Sequence, residues 1–144
     1  MAILPLKIEN LSKKFGSHHV LENISFEVNK GEIFGLIGLN GAGKTTMIKI
    51  ILGLLTPDQG SASIFNSNSS DKNSRRNLSF LPEKFQPSHL LKGKEFLSLN
   101  CSYYKKPFDY KRAKQLAEIL RLDPKVLENR GSVYSKGMGQ KLGL

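Results

Sequence analysis

The chain is short of acid, of sulfur and of long apolar runs. Its 144 residues carry 12 Asp and Glu against 22 Lys and Arg, a formal net charge of +10. Such an excess favours phosphate-rich partners: nucleotides, nucleic acid or an anionic membrane face. The alternative is a solvated surface balanced by further residues, because charge balance is a property of whole domains. The basic residues are scattered in pairs, Lys13-Lys14, Arg75-Arg76, Lys105-Lys106 and Lys111-Arg112. They are separate pairs and form no single tract of the kind a groove for single-stranded nucleic acid would present. Cys101 is the one cysteine, so an internal disulfide is excluded, which fits a reducing cytoplasm. Its thiol reads as a small packed group between Leu97 and Tyr104. No apolar run reaches the roughly 18 residues of a membrane span. The opening MAILPLKIEN has neither the charged start nor the long apolar stretch of a signal peptide. His18, His19 and His89 lack metal-ligand spacing and read as surface or packing residues. The size suits one domain with one core.

What is there divides into a strand-rich first half and a helical second half. LKIENL and VLENISFEV alternate apolar and polar residues, with Ile24, Phe26 and Val28 on one face, the pattern of a half-buried strand. Asn29 to Glu32 reads as a turn, and IFGLIG from Ile33 as a strand covered on both faces. Thr45 to Leu55 is apolar nearly all round except at Lys49, which predicts a buried helix. TPDQG, Thr56 to Gly60, is expected to end it. SASIF is a weak strand, Asn66 to Asn77 an exposed loop, and LSFLP from Leu78 a short strand or extended segment. Glu95 to Tyr104 is predicted helical with Phe96, Leu99 and Tyr103 on a stripe. So is Asp109 to Leu120, with Ala113, Leu116, Ala117 and Leu120 at helical spacing and Asp109 as its cap. A third helix begins near Gly137.

The stretch GLNGAGKTT, Gly38 to Thr46, fits the pattern G-x-x-x-x-G-K-[ST] between a predicted strand and a predicted helix. Gly38, Gly41 and Gly43 allow the backbone conformations and close approach that a phosphate cradle needs. The loop N–H groups form an anion nest, and the helix N-terminus near Lys44 adds unpaired N–H groups and partial positive charge. Lys44 supplies a full charge to the β- and γ-phosphates, and the Thr45 hydroxyl is placed to ligate Mg²⁺.

The chain resembles the ATP-binding domain of ABC transporters over nearly its whole length. KKFGSHHVLENISFEVNKGEIFGLIGLNGAGKTTMIKIILGLLTPDQG looks like the family's opening. YSKGMGQKLGL, Tyr134 to Leu144, resembles its signature motif in the form common among exporters. The resemblance implies an α/β fold: a P-loop NTPase core with an N-terminal antiparallel β subdomain and a helical subdomain, incomplete at the C-terminus. Residues 1–83 would be the β-rich and P-loop region, and 84–144 the helical subdomain up to the signature. It implies ATP and Mg²⁺ as cofactors. Phe15 would stack on adenine, which needs only a flat ring, and Val20 would touch the ribose and base edge. Packed strand residues are the alternative for both. Asn40 would lie near the γ-phosphate and Thr46 at the α-phosphate. Ser135 and Gly137 would contact the γ-phosphate held by a partner subunit in a head-to-tail pair, and Ser135 can cap its helix as well.

Two departures and one further feature mark the chain. Glu83 stands where many relatives have a glutamine that touches Mg²⁺ and water, and a carboxylate remains a plausible oxygen ligand. A surface glutamate is the plainer reading. Gly139 stands where relatives carry a polar or basic residue, and glycine within a helix costs roughly 1 kcal/mol against alanine. The strand that would bring an aspartate for Mg²⁺ and a glutamate that polarises water is expected beyond Leu144. The resemblance therefore implies the ATP-binding subunit of an exporter. It would be cytoplasmic, peripheral on the inner face of the membrane, and paired with a membrane permease. The 144 residues are expected to bind ATP without efficient hydrolysis. The alternatives are a truncated non-catalytic nucleotide binder and a soluble ABC-type ATPase acting on nucleic acid, a partner the scattered charge does not favour.

Overall fold

The computed structural model describes residues 3–144. The chain divides into two compact units, the first running to Ser79 and the second from Phe80 to Leu144.

The first unit is built on a four-stranded antiparallel sheet in the order β2-β1-β3-β4, with β1 at Leu6–Phe15, β2 at His18–Val28, β3 at Gln59–Ile64 and β4 at Ser67–Asn68. A two-residue turn with Gly16 at φ +58° joins β1 to β2 and pairs Phe15 with His18. The register slips between Ile8 and Leu11, and Asn10 and Asn23 both sit at φ +48° there. Asparagine tolerates that left-handed backbone. The irregularity is fastened by side chains: Asn10 N–H donates to Ser25 Oγ at 2.8 Å and Asn23 N–H to Ser12 Oγ at 2.9 Å. Helix α1, Lys44–Ile51, lays Met47 and Ile50 on the sheet, where they join Ile8, Leu11, Leu21 and Ala62 in one core. Each fully buried aliphatic side chain contributes about 1.5–3 kcal/mol.

Two expectations for this unit are corrected. The apolar run from Ile33 forms no strand: Ile33 is 99% and Ile37 93% exposed. Phe34 stacks on Phe26 with ring centroids 4.7 Å apart. Apolar content marks such a run for burial but cannot supply neighbouring strands, and among the described residues none pairs with it. Helix α1 is shorter and less buried than its composition suggests. It ends at Ile51, and Leu54 is exposed. Gly53 at φ +64° turns the chain ahead of TPDQG, against the backbone of Ser69, as glycine commonly does past a helix end.

The second unit packs α2 (Gly93–Tyr103), α3 (Tyr110–Ile119) and α4 (Lys136–Gly143) around Ala113, Ala117, Leu122, Leu127 and Leu142. Helix α2 turns Phe96 inward as expected, together with Leu97, while Leu99 and Tyr103 of the expected stripe are exposed. The inward side chains are those that meet the aliphatic residues of the neighbouring turn, which periodicity alone does not identify. On α3 it is Ala113 and Ala117 that are buried, with Leu116 nearly half exposed. Asp109 caps α3 as expected, accepting from Arg112 N–H at 3.0 Å. The Tyr134 hydroxyl donates to Val126 O at 2.6 Å, tying the approach to α4 onto the turn before it. Burial pushes that phenol's pKa above its ordinary value.

Candidate functional site

The loop from Gly38 to Gly43 crosses the surface of the first unit and delivers the chain into α1. Leu39 O accepts from Ala42 N–H at 3.2 Å to close the turn. Gly41 and Gly43 hold φ values of +86° and +81°. Gly38 is outside that left-handed region, so it does not need glycine on that ground. Gly43 is the cap residue of α1 and offers no side chain to it. The first N–H groups of the helix therefore face outward with their dipole, as anion-binding helix termini do. Met47 N–H bonding to Gly43 O at 2.9 Å closes the first turn behind them.

Lys44 curls back over this loop. Its Nζ donates to Gly38 O at 2.6 Å and to Leu39 O at 2.7 Å. Among the described residues no carboxylate pairs with it. A full positive charge thus stands at the loop with only neutral carbonyls as partners. Open space beside Gly41, where an added Cβ would meet nothing within 4 Å, leaves the backbone approachable. These features fit a phosphate chain: backbone donors, a cation and room. Thr45 is exposed and Thr46 half-buried on the first turn of α1, and Asn40 is exposed on the loop.

The strand β2 backs the loop. An added Cβ on Gly43 would lie 2.6 Å from Val20 O and 2.8 Å from Leu21 Cδ2. Val20 and Lys44 also line one cleft of about 380 Å³, together with Phe26, Phe34 and Met47. Val20 is half-buried and packs on the core, so it serves the strand whatever else it touches. Phe15, at the far end of β1, is 51% exposed with Lys13 Nζ 5.7 Å from its ring centroid.

The other expected residues belong to the second unit. Ser135 caps α4, its Oγ accepting from Met138 N–H at 3.2 Å. Gly137 is exposed with nothing within 4 Å of an added Cβ. Gly139 is buried, and a Cβ there would lie 3.0 Å from Pro87 Cδ, so packing accounts for this departure. Glu83 has an exposed side chain, and its backbone carbonyl accepts from Gln140 Nε2 at 3.0 Å. Among the described residues no cluster of three His, Cys, Asp or Glu could hold a metal by itself. A metal here would depend on the phosphates it accompanies and on the Thr45 hydroxyl.

A family model for the ABC transporter matches residues 21–144. The chain belongs to the ABC transporter ATP-binding family. It is 37% identical over 141 residues to the uncharacterized ABC transporter ATP-binding protein YdbJ of Bacillus subtilis, covering 96% of this chain and 45% of that protein. It is 43% identical over 79 residues to the zinc uptake system ATP-binding protein ZurA of Listeria monocytogenes, covering 55% of this chain and 31% of that protein. A solved ATP-binding subunit of an ABC transporter superposes with a TM-score of 0.83 at 35% identity, covering 99% of this chain and 60% of that one. The chain thus spans about half the length of the full-length relatives it matches. The α/β P-loop NTPase fold expected from the sequence is the fold of these ABC transporter relatives. ATP-binding domains of this family bind ATP, generally with Mg²⁺. The exporter subfamily is a narrower matter, since one ABC transporter relative is named for uptake.

Proposed function

We propose that this chain binds MgATP at the loop 38–46, as part of the ATP-binding subunit of an ABC transporter. One observation carries the reading: the Lys44 ammonium, free of any carboxylate among the described residues, stands over a loop that ends in an uncapped helix N-terminus. In this reading Lys44 meets the β- and γ-phosphates and Thr45 the Mg²⁺. Asn40, Gly41, Gly43 and Thr46 line the phosphate path, and Phe15 and Val20 take the base and ribose. Ser135 and Gly137, at the exposed start of α4, serve the nucleotide of a second, head-to-tail domain. Glu83 serves as the second contact to Mg²⁺ or water. The complete subunit works on the inner face of the membrane with a permease. The direction of transport that we favour is export, on the form of the signature stretch Tyr134 to Leu144. No helix among the described residues is long and apolar enough to cross a membrane.

The test is nucleotide affinity by calorimetry on the 144-residue chain and on Lys44→Ala. A charge-assisted contact is worth about 1.5–3 kcal/mol, so the variant should bind MgATP at least about tenfold more weakly. Lys44 donates only to carbonyls of its own exposed loop, so the substitution should leave stability nearly unchanged. Equal affinity of both proteins refutes the phosphate-binding role.

A further inference from the structure

The end of β1 that carries Phe15 is held in an unusual way. The β1–β3 ladder stops at Ser12, paired with Gln59, and the β1–β2 register slips on both sides of Lys13. Beyond Ser12, no strand among the described residues lies on that side of β1. Asp58, in the turn before β3, takes that place. Its N–H donates to Ser12 O at 3.0 Å. Its carboxylate accepts from Lys14 N–H at 2.7 Å through Oδ2 and from Lys13 Nζ at 2.8 Å through Oδ1. One residue thus continues the ladder for a further rung and draws in the neighbouring ammonium. The Lys13 side chain is only 13% exposed, and its Nζ lies 5.7 Å from the Phe15 ring centroid. The two bonds hold the Asp58 carboxyl below its ordinary pKa, the Lys13 hydrogen bond first and the Lys14 N–H second.

We infer that Asp58 is a positioning residue for the nucleotide base: by bonding Lys14 N–H and Lys13 Nζ it sets the exposed Phe15 ring for stacking against a flat heteroaromatic ligand. The inference rests on the reading that Phe15 takes the base and the loop 38–46 the triphosphate. An exposed ring at a strand end samples several rotamers and loses that freedom on stacking. Fixing the backbone at residue 14 and covering the ring with an ammonium removes part of that cost before the ligand arrives. Asp58 itself touches no ligand in this scheme, so its effect should fall on the base and spare the phosphates.

The experiment compares MgATP with magnesium tripolyphosphate, which has the phosphates and no base, on the 144-residue chain and on Phe15→Ala, Asp58→Ala and Asp58→Asn. Wild type should prefer MgATP. Asp58→Ala should weaken MgATP by about three- to tenfold, the range expected of a stacking contact, while tripolyphosphate stays within about twofold. Asp58→Asn, which can still accept from Lys14 N–H, should recover part of the loss. As a readout of ring order, Phe15→Trp introduces the one tryptophan of the chain. Its emission without nucleotide should change when Asp58→Ala is added. If Asp58→Ala leaves the ratio of the two affinities at the wild-type value, whether both stay or both fall together, the positioning role is overturned. If Phe15→Ala lowers MgATP affinity and Asp58→Ala does not, base stacking stands and the positioning role fails. If Phe15→Ala has no effect, the base assignment fails and takes the inference with it.

Discussion

Gly43→Ala should be among the most damaging single substitutions in the first unit, and without any nucleotide present. Two costs add. The φ of +81° at this residue places an L side chain in the left-handed region, about 1–2 kcal/mol. The added Cβ would lie 2.6 Å from Val20 O, 2.8 Å from Leu21 Cδ2 and 3.1 Å from Val20 Cγ1. The nearest of these is backbone near the start of β2, which cannot swing aside as a side chain would. Overpacking of this kind costs about 1–3 kcal/mol, giving a total of roughly 2–5 kcal/mol. Gly41→Ala is the internal control. Its φ of +86° brings the same conformational cost, but its added Cβ meets nothing within 4 Å. Urea unfolding followed by circular dichroism reads both. With a slope of about 1.5 kcal/mol per molar, Gly43→Ala should lower the midpoint by roughly 1.3–3.3 M and Gly41→Ala by about 0.7–1.3 M. Equal midpoints for the two variants would show that β2 does not press on the loop, and the packing argument for Gly43 would fall.

The remaining predictions follow from two other parts of the chain. Glu128 is held below its ordinary pKa by Lys94, 2.7 Å away, and then by the Tyr110 hydroxyl at 2.6 Å; a carboxylate lowered in the folded state adds stability above its unfolded value and loses it as pH falls through the folded one. Glu128→Gln should therefore be less stable than wild type at neutral pH, with the gap closing under acid, and a gap that widens in acid unfolding curves contradicts the assignment. Steady-state phosphate release by the 144-residue chain should stay below about 1 per second, the lower edge of ordinary turnover, with Lys44→Ala as baseline. Lys44-dependent turnover above that rate would show that these residues assemble a working hydrolytic site.

Where a pattern depended on neighbours already in the local sequence, it could be read. The alternation in β2, the capping aspartate of α3 and the serine at the start of α4 all match the structure, because each rests on contacts within a few residues. The glycine-lysine loop was legible for the same reason, since one short segment makes both the turn and the helix terminus. The apolar run from Ile33 was not. A strand buried on both faces is specified by the strands beside it, and the run itself carries no sign of whether they are present. The helix end ahead of Gly53 is hidden in the sequence because TPDQG is the louder signal, yet the left-handed turn comes first. Asp58 was invisible for a different reason. Its partners Lys13 and Lys14 are more than forty residues away, and only the end of the β3 ladder at Ser12 brings them to it.

Several of the candidate residues already hold the fold, and their two duties fall on different atoms. Gly43 serves the fold by lacking a Cβ beside Val20, while its contribution to an anion is backbone alone. Ser135 accepts from Met138 N–H through a lone pair of Oγ. A hydroxyl has one proton besides, and the cap does not use it. In the proposed function that proton donates to a phosphate oxygen. Lys44 spends two of its three N–H donors on Gly38 O and Leu39 O. Because both acceptors are neutral carbonyls in an exposed loop, a multiply charged phosphate outbids them on electrostatics. In the proposed function a nucleotide takes Lys44 from these carbonyls without unfolding anything behind the loop. The same argument does not extend to Asp58. Each of its carboxylate oxygens already accepts a bond, one from an ammonium and one from a backbone N–H, and in the inference above it acts on a ligand through the Phe15 ring.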